Sequence, residues 1–574
     1  MDYKKEYQRW ISSENLPEYL KKELQSIKNN EAEIQDRFYQ DLTFGTAGLR
    51  GKLGAGLNRM NELVVLRAGF ALGRVINEKF PSPAKKSVAI CYDCRIKSDE
   101  FAMLSARVMA TLGIKAYIFK TLHPTPMLSY AVRYLGAVSG INITASHNPK
   151  EYNGYKVYWQ EGSQIKDDIA DLIYEKIKQT DLLELPELIS EKEAFDKKLI
   201  EYMPEELGIS YYKKVLSLAI NDDIDKDIKI VYTPLNGTGN IPVRHILKER
   251  GFKNVYVVKE QEKPDGTFPT TEYPNPEELA AFELAEKYAE KLDAELIIAT
   301  DPDADRLAVE VRKNGRIIAL NGNQTGVLMI NYILNAKKEK GELPKNAAIV
   351  KSIVTGNMGE NIAKSMGVKV FDVLTGFKNI CALANEWDKT GEYTYIFGYE
   401  ESIGYNPGVF VRDKDAVSSA MLLAEMAGYY KKQGKTLIDV LDKLFEEYGC
   451  YSETTKSIFC EGESGKERID RMMKKIRETY PEQINGSKLK ELTDYELSLI
   501  RDISSGKTVK IDTEKTNAVK FLYDDESWVS LRPSGTEPKI KIYIYTRDEK
   551  SMEKSISKRD NTADIFIKEL NSIK

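Results

Sequence analysis

A chain of 574 residues is too long for one hydrophobic core, and at roughly 150 residues per domain it divides into about four. Its 84 basic and 88 acidic side chains leave a formal charge of −4 with no long basic block, which argues against a nucleic-acid groove and for small-molecule chemistry. The charged, aromatic start at residues 1–10 lacks the apolar core of a signal peptide, and no run approaches the ~20 apolar residues of a membrane span, so a cytoplasmic protein without a membrane partner is expected.

The first forty residues read as an amphipathic helical prefix, with Pro17 at a helix start and Leu20, Leu24 and Ile27 on one face. Strands are expected at 88–90, 115–119 and 138–144, with a helix over 98–112. The same alternation returns with strands at 230–233, 255–258, 296–299 and 307–311 and a helix over 276–291. It returns again with strands at 348–353, 368–373 and 393–397 and a helix over 416–432. A charged helical run at 466–479, then paired strands at 528–531 and 540–546, suggest a smaller α+β domain. The five cysteines do not form a disulfide framework; Cys91-x-x-Cys94 has no companion pair and follows an apolar strand, so free thiols are expected.

In each α/β unit an apolar strand empties into a polar loop: Ile143-Thr144 into Ala145-Ser146-His147-Asn148-Pro149, Ala299-Thr300 into Asp301-Pro302-Asp303-Ala304-Asp305-Arg306, and Phe397-Gly398 into Tyr399-Glu400-Glu401-Ser402. Open α/β sheets bind ligands at the carboxyl ends of their strands, so three loops could share a cleft. In an extended segment Asp301, Asp303 and Asp305 project to one side and converge. A solvated acidic turn would also account for them, but oxygen ligands without nearby Cys or His suit Mg²⁺. An EF-hand is excluded, because its Gly and Glu positions hold Arg306 and Arg312.

Ser146 lacks the glycines of a nucleophile elbow and could simply cap a turn. Phosphorylated, it would carry about −1.5 to −2, and with three aspartates roughly −5, against +2 from one Mg²⁺. More positive charge is then required. Arg306, Lys156 and Arg50, the last within Phe44-Gly45-Thr46-Ala47-Gly48-Leu49-Arg50-Gly51, are the candidates for stabilising a transferring phosphoryl group. Arg532-Pro533-Ser534-Gly535-Thr536-Glu537-Pro538-Lys539 offers a guanidinium, two hydroxyls and a glycine, which suit a phosphate. Glu400 and Ser402 share a face that suits sugar hydroxyls.

Through these four motifs, in this order, together with the 44–51 segment, the chain resembles the α-D-phosphohexomutases, the phosphoglucomutase and phosphomannomutase superfamily. The resemblance implies four domains around a central cleft, three similar mixed α/β domains and a C-terminal α+β phosphate-binding domain; the expected divisions are 1–205, 206–321, 322–455 and 456–574. It implies that Ser146 carries a phosphoryl group held with one Mg²⁺ by Asp301, Asp303 and Asp305. Glucose 1-phosphate and glucose 6-phosphate would interconvert through glucose 1,6-bisphosphate, which serves as intermediate and activator. By the same resemblance Arg532, Ser534, Gly535 and Thr536 grip the non-reacting phosphate, while Glu400, Ser402 and Lys378 hold the sugar beside Arg306. Arg50, His147 and Lys156 are left open as groups for proton transfer and charge stabilisation. Where some dual-specificity members carry Met between Glu and Ser and a following His, this chain has Glu401 and then Ile403-Gly404, which leans toward glucose. Phosphopentomutase, phosphomannomutase and glucose-1,6-bisphosphate synthase activities remain alternatives, with a non-catalytic sugar-phosphate-binding regulator more remote. Sugar phosphates are the expected partners, and a monomer or a dimer the expected assembly.

Overall fold

The computed structural model describes residues 2–45, 48–82, 86–460, 462–534 and 539–573. The chain forms two compact units, one of Met1–Val350 with Gly376–Thr436 and the other of Lys351–Thr375 with Leu437–Lys574.

The first unit holds two mixed sheets. Strands β1 (Leu49–Lys52), β2 (Ser87–Tyr92), β3 (Lys115–Ile118), β4 (Ser139–Ile143), β5 (Tyr152–Trp159) and β6 (Ile200–Tyr202) lie in the order β1-β5-β4-β2-β3-β6. The pairs β4-β2, β2-β3 and β3-β6 are parallel, and β5 runs antiparallel to both its neighbours. Strands β7 (Ile230–Thr233), β8 (Val255–Val257), β9 (Leu296–Thr300), β10 (Leu307–Lys313) and β11 (Arg316–Leu320) follow in the order β11-β10-β9-β7-β8. Every residue of β4 and β9 is buried, as expected of central strands covered on both faces, and in β9 this explains the apolar run from Leu296 to Ala299. Each buried Leu or Ile there contributes about 1.5–3 kcal/mol.

Strand β12 (Ala347–Ser352) crosses from the first unit to the second, where β13 (Lys369–Val373) lies; β14 (Thr394–Glu400) and β15 (Gly404–Asn406) form an antiparallel hairpin in the first. The second unit is built on β16 (Cys450–Phe459), β17 (Gln483–Ile484), β18 (Ser487–Asp494), β19 (Leu499–Asp502), β20 (Thr508–Lys510), β21 (Val519–Tyr523), β22 (Trp528–Pro533) and β23 (Lys539–Asp548), all paired antiparallel. Its core is closed by the helices Gly462–Glu478 and Met552–Asn571, through Met472, Met473, Ile476 and Phe566.

The expected prefix is three helices, Tyr3–Ser12, Glu18–Ser26 and Glu31–Phe38, with Pro17 as the N-cap of the second. Trp10 and Phe38 meet edge to face at 5.4 Å and share a core with Leu20, Leu24, Leu57, Leu182 and Leu183, so the prefix is packed onto the first α/β sheet domain. One expected helix starts later than read: 276–291 is a turn, a short 3₁₀ segment Leu279–Phe282 and the helix Glu283–Leu292. Asn275 between Pro274 and Pro276 explains it, because its side chain and carbonyl accept the Glu277 and Glu278 N–H groups and form a turn in place of a helical start. Among the described residues no helix is long and apolar enough to cross a membrane.

Candidate active site

Ser146 follows β4 in a left-handed conformation, φ 53°, and is almost fully buried. A non-glycine residue in this region needs local compensation, and the loop supplies it. The Ser146 N–H donates to Thr144 Oγ1 at 2.8 Å. The Arg95 guanidinium donates to the carbonyls of Ser146 (2.6 Å), Pro149 (2.8 Å), Tyr152 (3.0 Å) and Asn148. Arg95 is itself buried, 3.4 Å from the Asp93 carboxylate, and lies over the Phe268 ring. Gly154 on β5 lets the loop approach: a Cβ there would lie 2.5 Å from the Thr144 carbonyl oxygen.

The Ser146 hydroxyl donates to Asp301 Oδ2 at 2.9 Å and lies 3.2 Å from His147 Nδ1. Thus the loops after β4 and β9, 155 residues apart in sequence, meet at one oxygen. Asp301, Asp303 and Asp305 are buried, with one carboxylate oxygen of each within 4.8 Å of the others. They converge through a tight turn, contrary to the extended geometry expected. Ala304 takes φ 51°, and the N–H groups of Asp305 (3.1 Å) and Arg306 (3.0 Å) both donate to Asp301 Oδ1. The turn prevails because a run of three like charges gains more from backbone donors than from strand pairing.

Four cations surround the carboxylates. Lys156 on β5 donates to Asp303 Oδ2 at 2.9 Å and lies 3.9 Å from Asp305; Lys414 lies 3.1 Å from Asp305 Oδ2 and from Asp413 Oδ1. Arg50 on β1 donates to Asn148 Oδ1 at 3.0 Å, and Arg306 pairs with Glu277 at 3.2 Å. Thr125 adds a hydroxyl donor to Asp303 at 2.7 Å. Burial and the charges of Asp305 and Asp303 push the Asp301 carboxyl well above the usual carboxylate range. Burial acts the same way on Asp303, but the Lys156 ammonium and its hydrogen bond bring that carboxyl below it. Burial, then Arg306 and Arg50, keep the His147 imidazole well below its ordinary value. Two buried oxygens, Asp303 Oδ1 and Asp305 Oδ1, accept no hydrogen bond from the described residues.

Among the expected sugar-contacting residues, Glu400 ends β14 and accepts the Gly376 N–H at 2.6 Å. Ser402 is half-buried in the turn before β15. That turn is tied to the aspartate loop, because the Leu307 N–H donates to the Ile403 carbonyl at 3.1 Å and Arg306 bridges to Gly404. Lys378, in the first turn of the Phe377–Thr390 helix, points to Asp167 at 3.4 Å and not to the carboxylate cluster. In the second unit Arg532, on β22, donates to the Thr375 hydroxyl, and the Ser534 N–H donates to the Lys539 carbonyl at 2.8 Å. Gly535 and Thr536 lie outside the described residues. The residues missed in the sequence are Asp93, Arg95, Thr125, Glu277 and Lys414. Asp93-x-Arg95 just after β2 is a signal that could have been found, since it stands at the carboxyl end of a parallel strand. Cys91 and Cys94 are free, and burial pushes both thiols up.

Models of four successive domains match this chain: "Phosphoglucomutase/phosphomannomutase, alpha/beta/alpha domain I" over 41–184, domain II over 210–315, domain III over 321–448 and the C-terminal domain over 485–558. The architecture is therefore a four-domain α/β one. A phosphoglucomutase of Staphylococcus haemolyticus is 38% identical over 514 residues, 88% of this chain and 90% of its own. One from Staphylococcus aureus is 37% identical over 519 residues, 90% of this chain and 92% of its own. Among solved structures, a putative phosphomannomutase from Thermus thermophilus superposes with a TM-score of 0.67 at 21% identity, covering 92% of this chain and 99% of that one, a likeness of fold.

Proposed function

Because the chain belongs to the phosphoglucomutase/phosphomannomutase family and is a phosphohexomutase of the phosphoglucomutase type, we propose that it interconverts glucose 1-phosphate and glucose 6-phosphate through a phosphoserine at Ser146 and a glucose 1,6-bisphosphate intermediate. The observation that carries this reading is the Ser146 hydroxyl held 2.9 Å from the buried Asp301 carboxylate, with His147 Nδ1 at 3.2 Å. A serine so placed, on a loop at the carboxyl end of β4 and beside a histidine ring nitrogen, is a candidate nucleophile at the cluster of carboxylates and cations.

Asp301, Asp303 and Asp305, with an oxygen of the Ser146 phosphate, would hold one Mg²⁺. The donor set fits: all ligands are hard oxygens, and two buried carboxylate oxygens have no hydrogen-bond partner among the described residues. The bound ion supplies positive charge to the phosphoryl oxygens. Lys156 and Lys414 balance the remaining carboxylate charge, and Arg306 and Arg50 face the phosphoryl group.

In the forward half-reaction the substrate 6-hydroxyl attacks the Ser146 phosphorus, the P–Oγ bond breaks as the P–O6 bond forms, and the hydroxyl proton passes to a neighbouring base. His147 is the side chain on this loop with a ring nitrogen within 3.2 Å of Oγ. After the bisphosphate turns around, Oγ attacks the phosphorus at position 1, the P–O1 bond breaks as the P–Oγ bond re-forms, and the leaving O1 takes the proton held by that base. Glu400 and Ser402 orient the sugar hydroxyls, Lys378 leaves Asp167 to reach the sugar, and Arg532, Ser534, Gly535 and Thr536 hold the other phosphate. The five free cysteines agree with a reducing, cytosolic compartment.

The test compares kcat/KM for glucose 1-phosphate, mannose 1-phosphate and ribose 1-phosphate, in wild type and Ser146→Ala, with and without glucose 1,6-bisphosphate. The expected result is a preference for glucose 1-phosphate that disappears in Ser146→Ala. Full activity in that variant rejects the phosphoserine route, and a preference for ribose 1-phosphate rejects glucose.

A further inference from the structure

The loop 263–278 belongs to none of the motifs above, yet it touches both Arg95, which clamps the serine loop, and Arg306, one of the cations around the carboxylates. At one end it is pressed against the serine-loop clamp: the Phe268 ring lies 5.0 Å from Arg95 Cζ, and Gly266 is so close that a Cβ would lie 2.6 Å from the Cys94 carbonyl oxygen. At the other end the Glu277 carboxylate pairs with the Arg306 guanidinium at 3.2 Å. The Glu277 backbone is fixed in turn, since its N–H donates to Asn275 Oδ1 between two prolines. The loop is also tied to its own domain through the Asp265 N–H, which donates to the Asn236 carbonyl.

Arginine is a long, flexible side chain whose value in charge stabilisation depends on orientation before the reaction. Among the described residues the buried Arg306 Nε has no hydrogen-bond partner, and Glu277 provides the one side-chain ion pair of this guanidinium. We propose that Glu277 is a positioning residue which holds Arg306 ready for the transferring phosphoryl group. The inference rests on the phosphoserine reading above, in which Arg306 faces that group. Glu277 does not touch the reacting atoms; it acts through Arg306.

An ordinary exposed ion pair would contribute little, and its loss would leave turnover alone. Positioning predicts a different pattern. Glu277→Ala should lower kcat roughly tenfold or more while KM for the sugar phosphate stays within about twofold, because the interaction matters in the transition state. Glu277→Gln, which keeps an acceptor without the charge, should fall between Glu277→Ala and wild type, and it preserves the test if the alanine variant folds poorly. The decisive measurement is a double-mutant cycle. In an Arg306→Met background, Glu277→Ala should cause no further loss of kcat. Unchanged kcat in Glu277→Ala, or losses that multiply in the double variant, would overturn the proposal. Ser146→Ala assayed alongside separates the two ideas: persistent activity there removes the phosphoserine reading, whereas its loss together with a normal Glu277→Ala enzyme removes only the role of Glu277.

Discussion

Arg95 donates to the Ser146 carbonyl at 2.6 Å from a position fully buried beneath the serine loop. The same guanidinium serves three more carbonyls of that loop and its flank, lies beside Asp93 and stacks on Phe268. Ser146 keeps its left-handed backbone because this one side chain ties the loop down.

Lysine at this position could not satisfy the same set of acceptors, because one ammonium lacks the planar fork. Arg95→Lys should therefore lose about 2–4 kcal/mol of stability, at the scale of a damaged buried ion pair. It should also lower kcat, since the nucleophile is no longer held. Thermal unfolding with steady-state kinetics checks this, and a variant with wild-type Tm and kcat would show that the clamp is dispensable.

Asp303 combines a Lys156 partner on one oxygen with a second oxygen that has no hydrogen-bond partner among the described residues, which suits a metal ligand. Treatment with a chelator should abolish turnover and added Mg²⁺ should restore it. Asp303→Asn should raise the Mg²⁺ concentration for half-maximal activity about tenfold or more, by removing a charged ligand. Metal-titrated assays give the answer; an unchanged Mg²⁺ requirement would place the ion elsewhere.

Away from the site, Glu310 on β10 is buried beside Glu286 of the Glu283–Leu292 helix. Burial, then the Glu286 charge, pushes its carboxyl up to about 8. A carboxyl raised in the folded state binds its proton more tightly there than in the unfolded chain. The stability from that proton is full below the unfolded value of 4.5 and is lost as pH rises toward about 8. Glu310→Gln removes this dependence and should stabilise the protein at pH 8 and above by about 1–3 kcal/mol. Thermal unfolding at pH 5, 7 and 9 tests it, and parallel pH profiles for the two proteins would contradict the assignment.

The parts of the site that were legible in the sequence are those encoded within a few consecutive residues. Asp301, Asp303 and Asp305 announce themselves because three carboxylates so close need a cation whatever the backbone does, even though the backbone turned out to be a turn centred on Ala304. The strands β7 and β9 were readable because a buried central strand is a continuous apolar run. The edge strand β1 was not, because Arg50, Gly51 and Lys52 give it no apolar run and it exists through pairing with β5. Lys414 and Thr125 were missed for a related reason: each reaches its carboxylate partner from more than a hundred residues away, and no local pattern marks such a contact. The helix expected from 276 failed on turn chemistry, and the residue that broke it is the one that orients Glu277 toward Arg306.

The most direct measurement of the central claim is the phosphorylation state of Ser146 followed by intact-protein and peptide mass spectrometry. After incubation with glucose 1,6-bisphosphate and Mg²⁺, the chain should carry one phosphoryl group on Ser146, and addition of excess glucose 1-phosphate should discharge part of it into glucose 1,6-bisphosphate. An active enzyme that carries no phosphate at Ser146 under these conditions would contradict the account.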